Sequence, residues 1–390
     1  MRLRDLRTAA VKNQRVLVRV DYNIAADGRG RLRDDTRLAA SRPTIDWLRR
    51  HQASVILLSH RGRPKSWHRE YSLRMVARPL ARLLRQPVEF LDDRVGSSAL
   101  RLAIERLRPG SVTLLENLRF YSGEADNNPA FARRLAALGD LFVNEAFAVS
   151  HRASASLVRL PLLRPAYAGL HLMEEVDQLQ KVMRRPRRPY VAILGGAKIS
   201  TKLGLVKRLI QQADHVLLGG ALANTILRAE GLAIGASLSE PAMLAKARGL
   251  SVKNKHLHIP IDVVVVRGQP RPRARSWVRP VGKIAPDEVI ADIGPDSVSL
   301  FSRIIAKAST LVWNGPMGVY ENPPFDTGTR SIARAIARAG CRSVAGGGET
   351  VDAIRDQGLA RHFTFVSTGG GAMVEFLEGK MLAGLRALVR

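Results

Sequence analysis

The sequence is short of cysteine and of long apolar runs, and each shortage excludes a class of protein. Cys341 is the only cysteine, so a fold held by internal disulfides is excluded and a reducing compartment is expected. We place this residue between a helix and a strand. The longest apolar stretches, such as 215–222, meet glycines well before the ~20 residues of a membrane span. The start of the chain has no apolar core before a cleavage site. We therefore expect a cytoplasmic protein without a membrane partner.

Acidic residues are also few in comparison with basic ones. The chain has 62 Lys+Arg and 34 Asp+Glu, a net charge of +28, and such an excess is typical of proteins that bind polyanions. Residues 1–170 hold 31 basic and 16 acidic side chains, and residues 171–390 hold 31 and 18, so no basic arm exists. The basic clusters at 184–188 and 271–275 contain no aromatic residues for base stacking. We favour composition as the origin of the excess, with general attraction of acidic ligands as the next interpretation. Binding to nucleic acid or to membrane surfaces is the least favoured of the three.

Short aliphatic runs alternate with longer helical patterns along both halves of the chain. The predicted strands are 15–20, 53–59, 111–115, 141–144, 190–194, 215–218, 256–260, 261–266, 310–313, 343–345 and 363–366. Strands that alternate with helices indicate parallel sheets with helices on both faces. Two such series predict an α/β protein with two Rossmann-like three-layer (α/β/α) domains.

The boundary between the two series is predicted at an amphipathic helix, residues 171–183. The sequence RRPRRP then ends this helix, because proline disfavours helical conformation in the residue before it. We predict an N-terminal domain over 1–172, a hinge helix over 173–188 and a C-terminal domain over 189–375.

Basic and polar residues follow four predicted strands of the first half, with at least one arginine after each. Arginine presents a planar fork of donors that suits phosphate and carboxylate groups. Because the carboxyl ends of parallel strands meet at one edge of a sheet, these residues predict a site for a small, doubly anionic ligand. The main candidates are Asp21, Asn23, Arg37, His60, Arg63, Arg119 and Arg152.

Glycine-rich segments follow five predicted strands of the second half. They are 195–202, 219–221, 313–318, 346–350 and 367–371. Backbone N–H groups that are accessible at helix starts bind anions, so these loops predict a face for nucleotide phosphates. Neither a Walker A loop nor a dinucleotide fingerprint occurs. Lys198 and Lys202 lie four residues apart, and we predict them on one helical face beside the phosphates.

Ten strings in order along the chain resemble the phosphoglycerate kinase family. They run from near residue 15 to near 380 and are RVDYN, DDTR, SHRGRP, LLENLRF, HRASAS, ILGGAKISTK, DIGP, VWNGPMGV, GGGET and STGGGAMVEFLEGK. The resemblance implies a reversible phosphoryl transfer between 1,3-bisphosphoglycerate and ADP, which gives 3-phosphoglycerate and ATP. It also implies Mg²⁺ bound with the nucleotide, a monomer, and packing of residues 376–390 on the N-terminal domain.

The family's functional residues carry over to matching positions of this chain. The implied phosphoglycerate site is Asp21, Asn23, Arg37, His60, Arg63, Arg119 and Arg152. The implied nucleotide site is Lys198, Lys202, Asn314, Glu321, Gly347, Gly348, Glu349 and Thr350. Arg37, Lys198 and Gly370 are implied at the transferring phosphoryl group, and Glu349 at the metal ion.

The chain departs from the family's pattern at several places, including Arg61, where leucine is usual, and Ala221, which replaces a glycine. Glu349 stands where the family usually has aspartate, Thr201 replaces a common aspartate, and several residues differ over 145–154. Glu349 adds about 1.5 Å of reach at a position next to Mg²⁺, which requires near-ideal geometry. The departures leave an alternative open: a weakly active or inactive relative that binds nucleotide, phosphoglycerate or nucleic acid.

Overall fold

The computed structural model describes residues 1–25, 32, 35–250 and 254–390. Asp34, which opens the DDTR string, lies outside the described residues. Within them the chain is an α/β protein that contains two parallel six-stranded sheets. This architecture confirms the predicted fold class.

Two compact units make up the chain. The first consists of Met1–Asp177 with Met381–Arg390, and the second of Gln178–Lys380. The division falls inside one helix, Leu170–Arg184, and this helix contains most of the segment 173–188. The hinge role of that segment and the domain limits given above stay predictions.

The first unit is built around a parallel sheet. Its strands are β1 (Arg15–Arg19), β2 (Ser54–Leu58), β3 (Glu89–Leu91), β4 (Val112–Leu115), β5 (Leu141–Asn144) and β6 (Ala166–Ala168). Its helices are α1 (Thr36–Arg50), α2 (Arg74–Leu84), α3 (Ser98–Glu105), α4 (Ser122–Ala125), α5 (Pro129–Ala136), α6 (Leu160–Leu163) and the start of α7 (Leu170–Arg184). The strand order is β3-β4-β2-β1-β5-β6, with every neighbouring pair parallel.

Apolar side chains on the sheet and its helices form the core of the first unit. All five residues of β2 are buried, as are four of the five in β1. Val16 and Val18 of β1 share one buried cluster with Ile45 and Leu48 of α1 and Leu80 of α2. Burial on both faces explains why these strands read as continuous apolar runs in the sequence.

The second unit contains a further parallel sheet and a smaller antiparallel one. Its strands are β7 (Tyr190–Leu194), β8 (His215–Leu218), β9 (Leu257–His258), β10 (Asp262–Arg267), β11 (Ser276–Pro280), β12 (Glu288–Ile293), β13 (Thr310–Asn314), β14 (Arg342–Gly346) and β15 (Phe365–Ser367). After α7 come α8 (Leu203–Gln212), α9 (Gly220–Ala229), α10 (Leu244–Arg248), α11 (Pro295–Ile305), α12 (Thr327–Ala339), α13 (Gly348–Arg355) and α14 (Gly370–Leu377). The parallel sheet has the order β15-β14-β13-β7-β8-β9.

The prediction for residues 261–266 was wrong in one respect. These residues form a strand, but β10 pairs antiparallel with both β11 and β12 in a separate three-stranded sheet. Residues 268–275 alone connect β10 to β11, and so short a connection allows a hairpin but not a parallel crossover. The pattern also failed to reveal β3, β6, β11 and β12. Strands β3 and β6 have three residues each, and none of the five residues of β11 is buried.

The last ten residues belong to the first unit. The amide of Arg390 donates to the carbonyl of Arg2 over 2.9 Å, and the amide of Gly384 donates to the carbonyl of Ser150 over 2.8 Å. Leu385 and Leu388 are fully buried. The end of the chain is therefore fixed to this unit by backbone pairing and apolar burial.

Two expectations from composition concern Cys341 and membrane segments. Cys341 lies between the end of α12 at Ala339 and the start of β14 at Arg342, as predicted. Burial raises the pKa of its thiol. Among the described residues, the helices are all too short or too polar to cross a bilayer.

Candidate active site

The residues predicted for the anion site lie at the carboxyl ends of strands in the first unit. Asp21 and Asn23 follow β1, and His60 and Arg63 follow β2. Arg119 follows β4 and Arg152 follows β5, whereas Arg37 is the second residue of α1. Because all six strands of this sheet are parallel, their carboxyl ends lie at the same edge. Loops at this edge are the usual ligand-binding elements of such sheets.

One polar contact joins the loop after β1 to helix α1, a second joins it to the loop after β2, and a third lies within the loop after β1. The Arg37 guanidinium is paired with the carboxylate of Asp21. Asn23 accepts a 2.8 Å hydrogen bond from the amide of Gly62 at its side-chain oxygen, and its own amide donates to Asp21 over 3.2 Å. These contacts fix the position of Arg37, which is half-buried and directed by its acidic partner.

His60 lies buried among cationic side chains. Arg19 donates from Nη2 to Nδ1 of His60 over 3.1 Å. A guanidinium only donates, so Nδ1 accepts and the neutral ring carries its proton on Nε2. Burial lowers the pKa of His60 well below its usual value, and the charges of Arg19, Arg119, Arg152 and Arg37 lower it further. His60 is therefore a neutral hydrogen-bond donor at physiological pH.

Arg119 and Arg152 have donors that no group of the described residues satisfies. The Nε atom of each is buried and has no hydrogen-bond partner in that part of the chain. Burial lowers the pKa of Arg152, and repulsion from Arg119 and Arg63 adds to this effect, while Asp21 opposes it. Cations held this close to one another, with unused donors, are stabilised by an anionic ligand.

Sequence reasoning missed the residues that support His60. Arg19 is 2% exposed and also donates from Nε to the hydroxyl of Ser156 over 3.0 Å. That hydroxyl in turn donates to the buried carboxylate of Glu124 over 2.6 Å. The available signal was an arginine inside the apolar run RVLVRV, since an arginine is almost never fully buried without partners.

In the second unit, the five glycine loops follow β7, β8, β13, β14 and β15 at the carboxyl edge of the parallel sheet. Close backbone approach requires glycine at Gly195, where an added Cβ would lie 1.9 Å from the carbonyl oxygen of Pro316. The Nζ atom of Lys202 lies 2.6 Å from the Gly195 carbonyl and 3.1 Å from that of Asn314. Burial lowers the pKa of Lys202 to about 8, and Glu349 opposes this shift.

The prediction that Lys198 and Lys202 share one helical face was wrong. Helix α8 begins at Leu203, so both lysines belong to the loop that precedes it. This loop is held in a non-helical conformation by Glu240, which accepts from the amide of Ser200 over 2.8 Å and from its hydroxyl over 2.6 Å. As a result Lys198 is exposed, whereas the ammonium of Lys202 points into the loop.

Asn314, Gly347 and Thr350 are brought together at the ends of β13 and β14. Asn314 donates from Nδ2 to the carbonyl of Gly346 over 2.9 Å, and Thr350 accepts at Oγ1 from the amide of Gly315 over 2.8 Å. Gly347 has a φ of +107°, a conformation that favours glycine, and it precedes helix α13. Helix α13 begins at Gly348, which is exposed, and a Cβ added there would meet no atom of the described residues within 4 Å.

A cavity of about 290 Å³ adjoins these loops. Its walls combine Gly196 and Gly220 with apolar side chains such as Leu238 and Met317. Glu321 and Glu349 also line it. Burial raises the pKa of Glu349 and the charge of Glu321 raises it further, while Lys202 opposes the shift. The cavity thus has a largely apolar wall and an acidic rim.

Asp292, the aspartate of the DIGP string, also lines this cavity, although sequence reasoning assigned it no role. Burial raises its pKa to about 8, even though the amides of Gly328 and Ile293 donate to its carboxylate over 2.6 and 2.9 Å. Gly370 lies apart from the cavity lining and begins α14. The structure thus brings most predicted residues of the second half together at the strand ends beside the cavity. The two exceptions are Lys198, which is exposed on its loop, and Gly370, which lies at the start of a different helix.

Comparisons with known proteins agree with this arrangement. A family model described as phosphoglycerate kinase matches residues 5–380. The phosphoglycerate kinase of Thermomicrobium roseum is 46% identical and covers 99% of each chain. That of Rubrobacter xylanophilus is 46% identical and covers 99% of this chain and 98% of its own.

Two solved structures have the same fold. The phosphoglycerate kinase of Coxiella burnetii is 36% identical, with a TM-score of 0.86 and 99% of each chain covered. That of Pyrococcus horikoshii is 30% identical, with a TM-score of 0.87 and coverage of 99% of this chain and 98% of its own. The chain is therefore a phosphotransferase whose acceptor is a carboxyl group. It belongs to the phosphoglycerate kinase family, and these relatives give no support to the non-catalytic alternative.

Proposed function

We propose that the chain transfers a phosphoryl group reversibly between 1,3-bisphosphoglycerate and Mg-ADP, giving 3-phosphoglycerate and Mg-ATP. The observation that carries the proposal is the cationic cluster of the first unit. Arg37, Arg119 and Arg152 all act electrostatically on His60, and the Nε atoms of Arg119 and Arg152 lack partners among the described residues. A small ligand with a phosphate and a carboxylate would satisfy these donors.

The glycine loops of the second unit suit a nucleotide. The apolar wall of the cavity, including Leu238 and Met317, could cover a base, and the open amino end of α13 could receive phosphate oxygens. Lys202 would neutralise phosphate charge, and so would the exposed Lys198. Arg37 and Lys198 are our candidates for the groups that stabilise the transferring phosphoryl group, with backbone donors from the helix start at Gly370.

The residues near the cavity also fit a magnesium ion. Mg²⁺ usually takes one or two carboxylates together with phosphate oxygens. The charge of Glu321 adds to the raised pKa of Glu349, and a bound cation would relieve that repulsion. Glu349 would hold the ion, which would supply charge neutralisation to the nucleotide phosphates.

Phosphoryl transfer of this kind depends on positioning and charge neutralisation and requires no covalent intermediate. The proposal therefore needs no nucleophilic side chain. His60 would donate from Nε2 to the substrate without exchanging a proton, because its pKa lies well below its usual value. Asp21 and Asn23 would keep the loop after β1 and Arg37 in position.

A coupled assay with ATP, Mg²⁺ and 3-phosphoglycerate tests the proposal. We expect turnover that saturates with both substrates, and a large loss of kcat/KM for 3-phosphoglycerate in Arg152→Ala. Arg303→Ala, which removes another arginine from the surface of α11, is the matched control and should leave the rate unchanged. Folded protein without turnover at high concentration would refute the enzymatic proposal and return the non-catalytic alternative.

A further inference from the structure

Three histidines lie on or next to the neighbouring strands β8 and β9 of the second unit. His215 begins β8, His258 ends the edge strand β9, and His256 immediately precedes β9. The two strands pair in parallel, with Val216 opposite Leu257. Leu217 pairs with His258 and lies two residues after His215 on β8, so the rings of His215 and His258 face the same side of the sheet. His215 lies at the amino end of β8, whereas the glycine loop at 219–221 follows the carboxyl end of this strand.

Two of the rings meet directly. Nδ1 of His215 lies 2.9 Å from Nε2 of His258, and the ring centroids are 5.1 Å apart with an interplanar angle of 51°. Both side chains are only partly buried. At this distance the nitrogen of one ring donates an N–H to the lone pair of the other, so a single proton lies between the two nitrogens. The lone pairs of the two nitrogens can instead converge on a cation.

The surroundings keep this pair neutral. Burial lowers the pKa of His215, and His256 and Lys307 add to this effect while Asp214 opposes it. Burial also lowers the pKa of His258, together with the charges of His215 and His256. Neutral imidazole is the form that binds metal ions.

We propose that His215 and His258 form a two-histidine chelate for a first-row divalent transition metal such as Zn²⁺ or Ni²⁺. At a Zn–N distance of about 2.1 Å, two nitrogens on one tetrahedral ion lie about 3.4 Å apart, so the pair would open by only about 0.5 Å. The shared proton moves to the outer nitrogen of its own ring, and water molecules complete the coordination.

The number of ligands sets the expected affinity. In the part of the chain that the structure describes, groups of three or more His, Cys, Asp and Glu with metal-binding geometry do not occur. A chelate of two imidazoles and water is weaker than a structural zinc site with four protein ligands. We therefore expect a dissociation constant in the micromolar range. Imidazole nitrogens favour Zn²⁺, Ni²⁺ and Cu²⁺, whereas Mg²⁺ prefers oxygen, so millimolar Mg²⁺ should not compete.

Bound metal would connect β9 to β8. Strand β9 has two residues and lies at the edge of the sheet, where it pairs only with β8 among the described strands. An ion held by one ring from each strand adds a second link between them. Because the ion binds the folded state, the melting temperature should rise with metal concentration.

Calorimetric titration with ZnCl₂ alone, in Mg-free buffer at pH 7.5, tests the proposal. We expect one site per chain in the wild type, at least tenfold weaker binding in His215→Ala and in His258→Ala, and no change in His68→Ala, which removes a solitary exposed histidine. Full kcat with Mg-nucleotide and an unchanged circular dichroism spectrum would show that the variants fold. If either alanine variant fails to fold, His258→Gln, which keeps a hydrogen-bonding group but removes the imidazole, takes its place. Equal zinc affinity in the wild type and the pair variants, or an equal loss in His68→Ala, would overturn the proposal.

Discussion

The ammonium of Lys202 lies 2.6 Å from the carbonyl oxygen of Gly195. This contact, with the 3.1 Å contact to the Asn314 carbonyl, places one positive charge over the ends of the neighbouring strands β7 and β13. Burial lowers the pKa of the amine to about 8. The charge that we assign to nucleotide binding is therefore lost within an accessible pH range.

This pKa predicts the alkaline limit of nucleotide use. As pH rises through about 8, Lys202 loses its proton, and kcat/KM for ADP should fall by up to about tenfold per pH unit. Lys202→Arg should lower the rate at pH 7.5 but abolish the alkaline decrease in kcat/KM, since a guanidinium keeps its charge. Lys207 is an exposed lysine on α8, and the control variant Lys207→Arg should retain the alkaline decrease. The same alkaline profile in Lys202→Arg would contradict the assignment.

Gly348 allows the phosphate-binding role of α13 to be separated from folding. A Cβ at this position meets no atom within 4 Å, and its φ is not in the left-handed region. Gly348→Ala should therefore melt at the wild-type temperature. If phosphate oxygens approach the start of α13, the added methyl group blocks them and KM for ADP should rise roughly tenfold. Gly249→Ala, another uncrowded glycine, should change neither quantity, and an unchanged KM in Gly348→Ala would argue against phosphate binding there.

The sequence was sufficient to predict the two parallel sheets because buried parallel strands are continuous apolar runs. Strands β7 and β8 match their predicted limits residue for residue. The antiparallel sheet was not predictable from the same pattern, since β11 has no buried residue and β10 looks like any buried strand. What distinguishes β10 is its pairing partner, and pairing depends on the length and conformation of the connections.

Residues at the strand ends were predictable as a group, but their individual environments were not. Glycine and arginine in successive strand-end loops indicated anion binding, and those loops do lie at one sheet edge in each unit. The tautomer of His60 depends on Arg19, whose guanidinium reaches it from a different strand. The pKa of Lys202 likewise depends on burial by the loops. Such effects arise from tertiary packing, which residue spacing does not specify.

The hydrogen bond between Arg19 and His60 leads to a third prediction. Arg19→Met removes a positive charge that helps to lower the pKa of His60, so the His60 pKa should rise. It also removes the donor to Nδ1, which frees the ring to change tautomer. We expect KM for 3-phosphoglycerate to rise more than kcat falls, and Arg19→Lys to restore part of the loss. NMR titration of the imidazole provides the readout, and a His60 pKa that stays unchanged in Arg19→Met would contradict this relationship.

Glu349 stands where the resemblance to the family implies an aspartate at the nucleotide site. It is the second residue of α13, and its carboxylate lines the cavity together with Glu321. Its longer side chain moves the carboxylate away from the position that a metal ion with strict octahedral geometry would prefer. Glu349→Asp should therefore raise kcat at saturating Mg-nucleotide by a few-fold, roughly 0.5–1 kcal/mol of activation free energy. Glu349→Gln should lower it, because the ligand charge is lost, and Glu321→Asp is the matched shortening of the neighbouring carboxylate and should give no gain. An equal or lower kcat in Glu349→Asp would mean that the surrounding loop already accommodates the longer side chain.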